Sequence, residues 1–403
     1  VWLGDVMRRK SLLLALAICL LTGYFILVYY ASNIESIPYA EDSYTKRTKA
    51  LFESVRSRME EIRGFEISIP LEIVDREWVL SKWGSQAVDE ESLMDEEVFY
   101  KSLLLVPSDF RYEERKDEEV SSFMAFYWGK KIYVVRENFD PDRNSSGEAL
   151  AHELEHAIQD MFNIRTDGTF DGDEASSAIV EGDAVLAGWV YSNKNISEVL
   201  NKTRNDIACE NEPNKGYKSN LYNLFYFPYL YGGVYVGKRY LDGGYSLVDE
   251  LLNNHPNSTE QIIHDKKEGF MDVRINSLEI RENTYNFTSF KIVKDERMGE
   301  FFLYIFLSTH LNDCEAFKSA EGWNGDNFVL LRKGDEFVFG WRIAFDTLRD
   351  ADEFETSLVR LLEKVGKSKG ERRWKVNFSC DEVFTYEREG KLISIYGFGK
   401  IGR

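Results

Sequence analysis

Between residues 44 and 63 the apolar positions Leu51, Phe52, Val55, Met59 and Ile62 return every three or four residues among charged ones, the spacing of an amphipathic helix. Residues 65–75, FEISIPLEIVD, read instead as extended chain, with Pro70 marking an edge strand or a break. The segment 123–139, FMAFYWGKKIYVVRENF, holds two aromatic and β-branched runs around Gly129, which predicts a hairpin. After Pro141 the period changes. Ala149, Leu150, Leu154, Ala157, Ile158 and Met161 form the apolar face of a helix ending near Phe162, and Ser145 and Glu148 stand at capping-box spacing before it. A polar loop, 163–173, leads to a second predicted helix, Glu174 to Tyr191, rich in Ala and Val with Gly182 inside it. Residues 220–242 are intensely aromatic, yet Pro228, paired glycines and polar Asn and Lys residues argue for a buried helix or turn over a membrane span.

Beyond about residue 288 the pattern changes again. FFLYIFL (301–307), NFVLLRK (327–333) and EFVFGWRIAF (336–345) read as strands, Asp350 to Val365 as a helix, and RWKVNFSC and KLISIYGF as further strands, a small α+β domain. The basic run KSKGERR at 367–373 reads as a solvated loop. At the other end, residues 11–30 are uncharged and largely apolar, long enough for a bilayer core of roughly 30 Å. Arg8, Arg9 and Lys10 precede them, so the expectation is an uncleaved anchor with a cytoplasmic amino terminus and the bulk outside; a cleaved signal peptide, giving a secreted protein, is the competing reading. The expected organisation is a basic tail (1–10), an anchor (11–30), an amphipathic stalk (31–64), a main domain (65–287) and a carboxyl-terminal α+β domain (288–403).

Composition narrows the function classes. A chain of 403 residues with 43% hydrophobic and 14% aromatic content is folded rather than disordered. Its 50 basic against 69 acidic residues give a net charge of −19, which repels phosphate backbones and sets nucleic acid aside as a partner. Six N-x-S/T sequons, at Asn144, Asn195, Asn201, Asn257, Asn286 and Asn377, offer glycosylation sites to an extracellular protein. Four cysteines without a CxxC pair leave any metal site to histidine and carboxylate; Cys314 and Cys380, both in the last third, are the expected disulfide.

His152, Glu153, Leu154, Glu155 and His156 supply that chemistry as HExxH on a predicted helix. At 3.6 residues per turn both imidazoles share one face and can meet a single ion, while Glu153, one residue round, reaches a water beside it as a general base. The five histidines include no HxxGxxH continuation, so the third ligand is expected to be a carboxylate on the second helix. Glu174 and Glu181 compete for that role. Glu181 is favoured, because a glutamate amid the small and apolar residues of AIVEGDAV needs a partner, and a cation is one. Gly182 beside it is a candidate for close approach to the HExxH helix. Asp160 and Asp183 are candidates to accept a proton from a ligand imidazole, and Glu148 and Glu155 are assigned to solvent.

HELEHAIQD (152–160), EGDA (181–184), FPYLYGGVYV (227–236), NSTEQIIH (257–264), GWNGDNFVLL (322–331) and DTLRDADEF (346–354) together resemble a widespread, largely uncharacterised family of gluzincin-like HExxH metallopeptidases, over about residues 123–354. GWNGDN stands where GWGGDR is more usual. The resemblance implies an α+β, zincin-like catalytic domain with Zn2+ held by His152, His156 and Glu181, and Glu153 as base. Tyr229, Tyr231 and His264 are candidates for the donor to the oxyanion. The expected function is a membrane-anchored, outward-facing zinc metalloendopeptidase acting on a peptide or protein substrate, with oligomeric state open. The alternatives are an inactive zincin-fold surface protein that binds or scaffolds, which would have no need of Glu153, and a tethered chaperone using residues 220–242.

Overall fold

The computed structural model describes residues 41–208, 217–266, 269–284 and 289–402. Helix α1 (Glu41–Arg63) carries the amphipathic spacing, and it is a packing helix rather than a free stalk. Phe52, Val55 and Met59 are buried in one cluster with Leu150, Ala151 and Leu154. Strand β1 (Leu71–Val74), helices α2 (Arg76–Trp83), α3 (Glu90–Ser102) and α4 (Tyr112–Ser121), and strands β2 (Ala125–Trp128) and β3 (Lys131–Val135) follow. β1 pairs parallel with β3 and β2 antiparallel, giving a three-stranded sheet in the order β1-β3-β2. The predicted hairpin turns on Gly129 and Lys130, both at positive φ, as a two-residue turn between twisted strands requires.

Helix α5 (Asn144–Gln159) carries HExxH. It begins one residue before Ser145, at an Arg143 cap without a side-chain bond, so the expected capping box is not made. Glu148 pairs with Lys194. Helices α6 (Phe170–Tyr191) and α7 (Ile196–Ile207) precede α8 (Tyr217–Asn253), which contains Pro228 and breaks at Gly243–Gly244. Glycines set the crossing of α6 and α8. A Cβ on Gly182 would lie 2.4 Å from the Gly232 carbonyl, and one on Gly232 would lie 2.0 Å from the Ala178 oxygen. The close approach expected of Gly182 therefore exists, but toward α8 and not toward the HExxH helix.

Helices α9 (Thr259–His264) and α10 (Ser277–Asn283) lead to β4 (Lys291–Glu296). FFLYIFL then departs from its expected strand: it is buried on all sides within α11 (Gly299–Ser308). A short, wholly apolar run fits a buried strand and a buried helix equally, and the end caps decide. Helix α12 (Asp313–Ala320), strands β5 (Trp323–Lys333) and β6 (Glu336–Phe345), and helix α13 (Leu348–Val365) follow, α13 behind a Thr347–Asp350 capping box. Strands β7 (Gly366–Gly370), β8 (Arg373–Asn377), β9 (Asp381–Glu389) and β10 (Leu392–Lys400) complete a seven-stranded sheet in the order β4-β5-β6-β10-β9-β8-β7. The basic run 367–373 is thus mostly edge strand and not loop, and its lysines suit an edge that must not pair with another chain.

Asp326 of the GWNGD segment explains how this sheet meets the helices. Its carboxylate accepts from the backbone N–H of Met298 and Gly299, each at 3.0 Å, and from the indoles of Trp323 at 3.0 Å and Trp341 at 2.8 Å. It caps α11 from within the core. Asp171, at the start of α6, accepts from Thr259 and from Arg297, and a Cβ at Gly299 would collide with it at 1.9 Å. Gly299 itself has φ +87°, so two reasons demand glycine there. The largest core cluster draws residues from both sides of residue 288, from Val98 to Ile401.

Two expectations are corrected. The fold is α+β, but among the described residues no helix is long and apolar enough to cross a membrane. The most apolar one, α11, has 10 residues and spans about half a bilayer core. The anchor expected at 11–30 lies outside the described residues, and the single-pass, outward-facing placement is not carried forward. The Cys314–Cys380 bond is also absent: Cys314 is disulfide-bonded, Cys380 is a buried free thiol, and the partner of Cys314 lies outside the described residues.

Candidate metal centre

Residues 150–156 of α5 are buried on every side of the helix, with Leu150, Ala151 and Leu154 seated on α1 and the hairpin and both histidines toward α6. His152 and His156 lie one turn apart, and the middle of α6 brings Glu181, fully buried, to the same point. Nε2 of His152 and Nε2 of His156 stand 3.1 Å apart, and Oε2 of Glu181 is 3.2 Å from the first and 3.6 Å from the second. Four zinc ligands at bond lengths of about 2.0–2.1 Å lie about 3.3 Å from one another in a tetrahedron. The three separations match that edge. One ligand atom from each of the three residues lies within 4.8 Å of the others.

Hydrogen bonds fix the direction of one lone pair. The Gln159 amide nitrogen donates to the Val180 carbonyl at 2.8 Å and to Asp183 Oδ2 at 2.9 Å, so its oxygen faces His156 Nδ1, 2.8 Å away. That oxygen can only accept. His156 therefore carries its proton on Nδ1 and presents a bare Nε2 to Glu181 and His152. Nδ1 of His152 lies within reach of the Ala184 carbonyl without forming a well-aligned bond.

Burial sets the charge states. It pushes the imidazoles of His152 and His156 down, to about 3 and about 4, so both are neutral and able to ligate. It pushes Glu181 up to about 7, against the pull of His156 and the Tyr229 hydroxyl. Neither Glu181 oxygen has a well-formed hydrogen bond. A buried carboxylate facing the bare Nε2 of His156 costs stability unless something positive stands between them, and two imidazoles with one carboxylate are a donor set that suits zinc.

Glu153 is buried beside this point, and its Oε2 accepts from the backbone N–H of Tyr127 at 2.8 Å, so strand β2 holds it. Its carboxyl is raised well above the usual range by burial and then by Glu181. Among the oxyanion candidates, Tyr229 is at the centre, its ring over His152 with centroids 6.2 Å apart. Tyr231 is turned the other way, packed on Phe227 and Phe301. His264 is engaged by Glu300 at 2.7 Å and rests near Phe317, away from the three converging residues.

The carboxylates proposed to orient an imidazole act differently. Asp160 accepts from the Tyr127 hydroxyl at 2.5 Å, and Asp183 reaches His156 only through Gln159. Glu155, assigned to solvent, is fully buried and bonded at 2.7 Å to an equally buried Arg63, and burial, then the nearby Asp183, holds its carboxyl well above the usual range. Gln159 and Arg63 carry this support, and neither stood out in the sequence. Glu174 lies two turns from Glu181 on α6 and outside the triad; burial raises it to about 8.

Residues 288–397 match the model of a family described as a domain of unknown function (DUF8575), so this part of the chain is similar to that domain. Among curated proteins none matches the chain. The matched segment contains Asp326 and its helix cap but none of the three converging residues.

Proposed function

We propose that the protein is a zinc-dependent metallopeptidase of gluzincin-like ligand type. The observation that carries this reading is the convergence of two buried, neutral imidazoles and a buried carboxylate beside a second, anchored glutamate. His152, His156 and Glu181 would hold the ion, with Gln159 fixing the tautomer of His156. Zinc bound there would supply a Lewis acid that polarises a peptide carbonyl and lowers the pKa of water toward about 7. Glu153, steered by the Tyr127 N–H, takes the proton of the attacking water and returns it to the departing amine. Tyr229, whose ring lies over His152, would donate its hydroxyl to the carbonyl oxygen as negative charge develops on it. Burial and the nearby Glu181 hold the Glu153 carboxyl above the usual range, and a cation held by the three residues would favour its ionised form.

The test is cleavage of a defined peptide library by the full chain loaded with zinc, with chelator-treated protein and Glu153→Gln as controls. Cleavage that disappears in both controls supports the reading. Cleavage indifferent to chelator, or retained in Glu153→Gln, contradicts it.

A further inference from the structure

Strands β7 and β8 close one end of the seven-stranded sheet, and there Lys364, Lys367, Lys369, Lys375, Asn377 and Asp381 surround a hollow of about 360 Å³. Four lysines against one aspartate make this lining positive in a chain of net charge −19. All four lysines are exposed. Lys367 lies directly opposite Lys375 in the β7–β8 ladder, so both side chains rise from the same face of the sheet. That face is the solvent face, because Trp374 and Val376 of β8 are buried on the other. Among the described residues neither Lys367 nor Lys369 has a carboxylate partner. Lys375 keeps a loose contact with Asp381 at 3.8 Å, and Lys364 donates to the His310 carbonyl at 2.6 Å.

Like charges opposed across a ladder cost stability, and the protection of a sheet edge does not require them. Lysines on β7 alone would keep that edge from pairing, whereas Lys375 stands on the strand inside it, between β7 and β9, and guards no edge. One anion between the two ammonium groups turns their repulsion into two attractions. A carboxylate brings a single charge and is matched best by the planar fork of an arginine, which the lining lacks. A phosphate monoester brings a charge of about −1.5 to −2 and three acceptor oxygens in one group, which separate lysines can share as point charges. At physiological salt the potential decays over about 8 Å, so a compact ligand feels these lysines rather than the acid elsewhere on the chain. The hollow falls at the small end of the range for small-molecule sites, about 300–1,000 Å³, and Val365 is the one apolar side chain among its lining residues, too little to enter a bilayer. We propose that this hollow binds the phosphate monoester group of a soluble small molecule, with Lys367 and Lys375 on either side of the phosphate and Lys369 and Asn377 donating to it from the rim. The site is independent of the peptidase reading.

The test titrates the full chain with phenyl phosphate by isothermal calorimetry at about 0.15 M salt, in buffer free of phosphate and sulfate. Phenyl sulfate serves as the singly charged isostere, and phosphatidic acid vesicles present the same headgroup chemistry on a membrane. Phenyl phosphate should bind once per chain with a Kd in the millimolar range or tighter, and phenyl sulfate about tenfold more weakly. Lys367→Gln combined with Lys375→Gln should weaken phenyl phosphate by about 10–100-fold, and Lys333→Gln, which removes an exposed lysine elsewhere in the same sheet, should not. Thermal melts give a second readout: without ligand the double variant should melt no lower than the parent, since a repulsion has gone, and phenyl phosphate should raise the midpoint of the parent alone. Absence of saturable binding, equal binding of phenyl sulfate, or binding that the double variant retains would overturn the proposal. Vesicles bound while phenyl phosphate is not would overturn the assignment to a soluble ligand. Self-association of the double variant, with no phosphate bound by the parent, would leave edge protection as the whole role of these lysines.

Discussion

Two buried carboxylates in this protein have opposite surroundings. Asp326, behind the seven-stranded sheet, accepts from two backbone N–H groups and two indoles. Glu181, in the middle of α6, faces two neutral imidazoles, and neither of its oxygens is well bonded. Both are removed from water, so the difference lies in what replaces the water. Asp326 is complete without a ligand and serves the fold, whereas Glu181 lacks a positive partner and marks a site. Burial of a charge is therefore weak evidence of function, and what marks Glu181 is the convergence of two imidazoles on it.

The largest effect is expected at Glu153, where a substitution acts on chemistry alone. Glu153→Gln removes the proton acceptor while leaving every ligand in place, so peptide cleavage should fall by roughly 10²–10⁴-fold with metal content unchanged. Loss of metal in that variant would show Glu153 to be a ligand instead. Asp326→Ala should cost on the order of 3–5 kcal/mol, because four donors lose their acceptor inside the core. Denaturant melts would show this, and protein that still folds should bind metal as the parent does. Gln159→Ala should cost on the order of 1–3 kcal/mol in the melt and weaken metal binding by about 10–100-fold, measured by competition with a chelator, since His156 loses the partner that fixes its tautomer.

The smallest effect concerns Glu119, a buried carboxyl whose Oε1 has no hydrogen-bond donor and which faces no such convergence of ligands. Its folded pKa, about 7, lies above the ordinary value of 4.5, so the folded chain holds a proton that the unfolded chain has released. Stability from this group is present below about pH 4.5 and is lost as pH rises through 7. Glu119→Gln should consequently exceed the parent by on the order of 1–3 kcal/mol at pH 8, with the gap closing toward pH 4.5. A gap independent of pH in paired melts would place the cause elsewhere.

Local pattern carried much of this to the page. The HExxH helix, the hairpin beside it and the choice of Glu181 over Glu174 all follow from period, turn chemistry and the cost of a glutamate among small apolar residues. What local pattern could not carry is partnership across the chain. Arg63 meets Glu155 across 92 positions, and no rule of spacing joins them. Gln159 lies three residues after His156, but an amide that relays between a carboxylate and an imidazole has no spacing signature, whereas the charged Asp160 and Asp183 do resemble acceptors. FFLYIFL was misread for a related reason. Its helix is specified by a distant cap, the Asp326 carboxylate on the N–H groups of Met298 and Gly299. His264 followed the resemblance into the candidate site, whereas its true partner is Glu300 on α11.

The most direct test of the central claim is zinc stoichiometry by elemental analysis on the purified full chain, comparing wild type with His152→Ala, Glu181→Gln and His264→Ala. The account predicts one zinc per wild-type chain, none in His152→Ala, weakened binding in Glu181→Gln and full occupancy in His264→Ala. A wild type that takes up no zinc under metal-replete conditions, or a His152→Ala variant that binds as tightly as its parent, would contradict it.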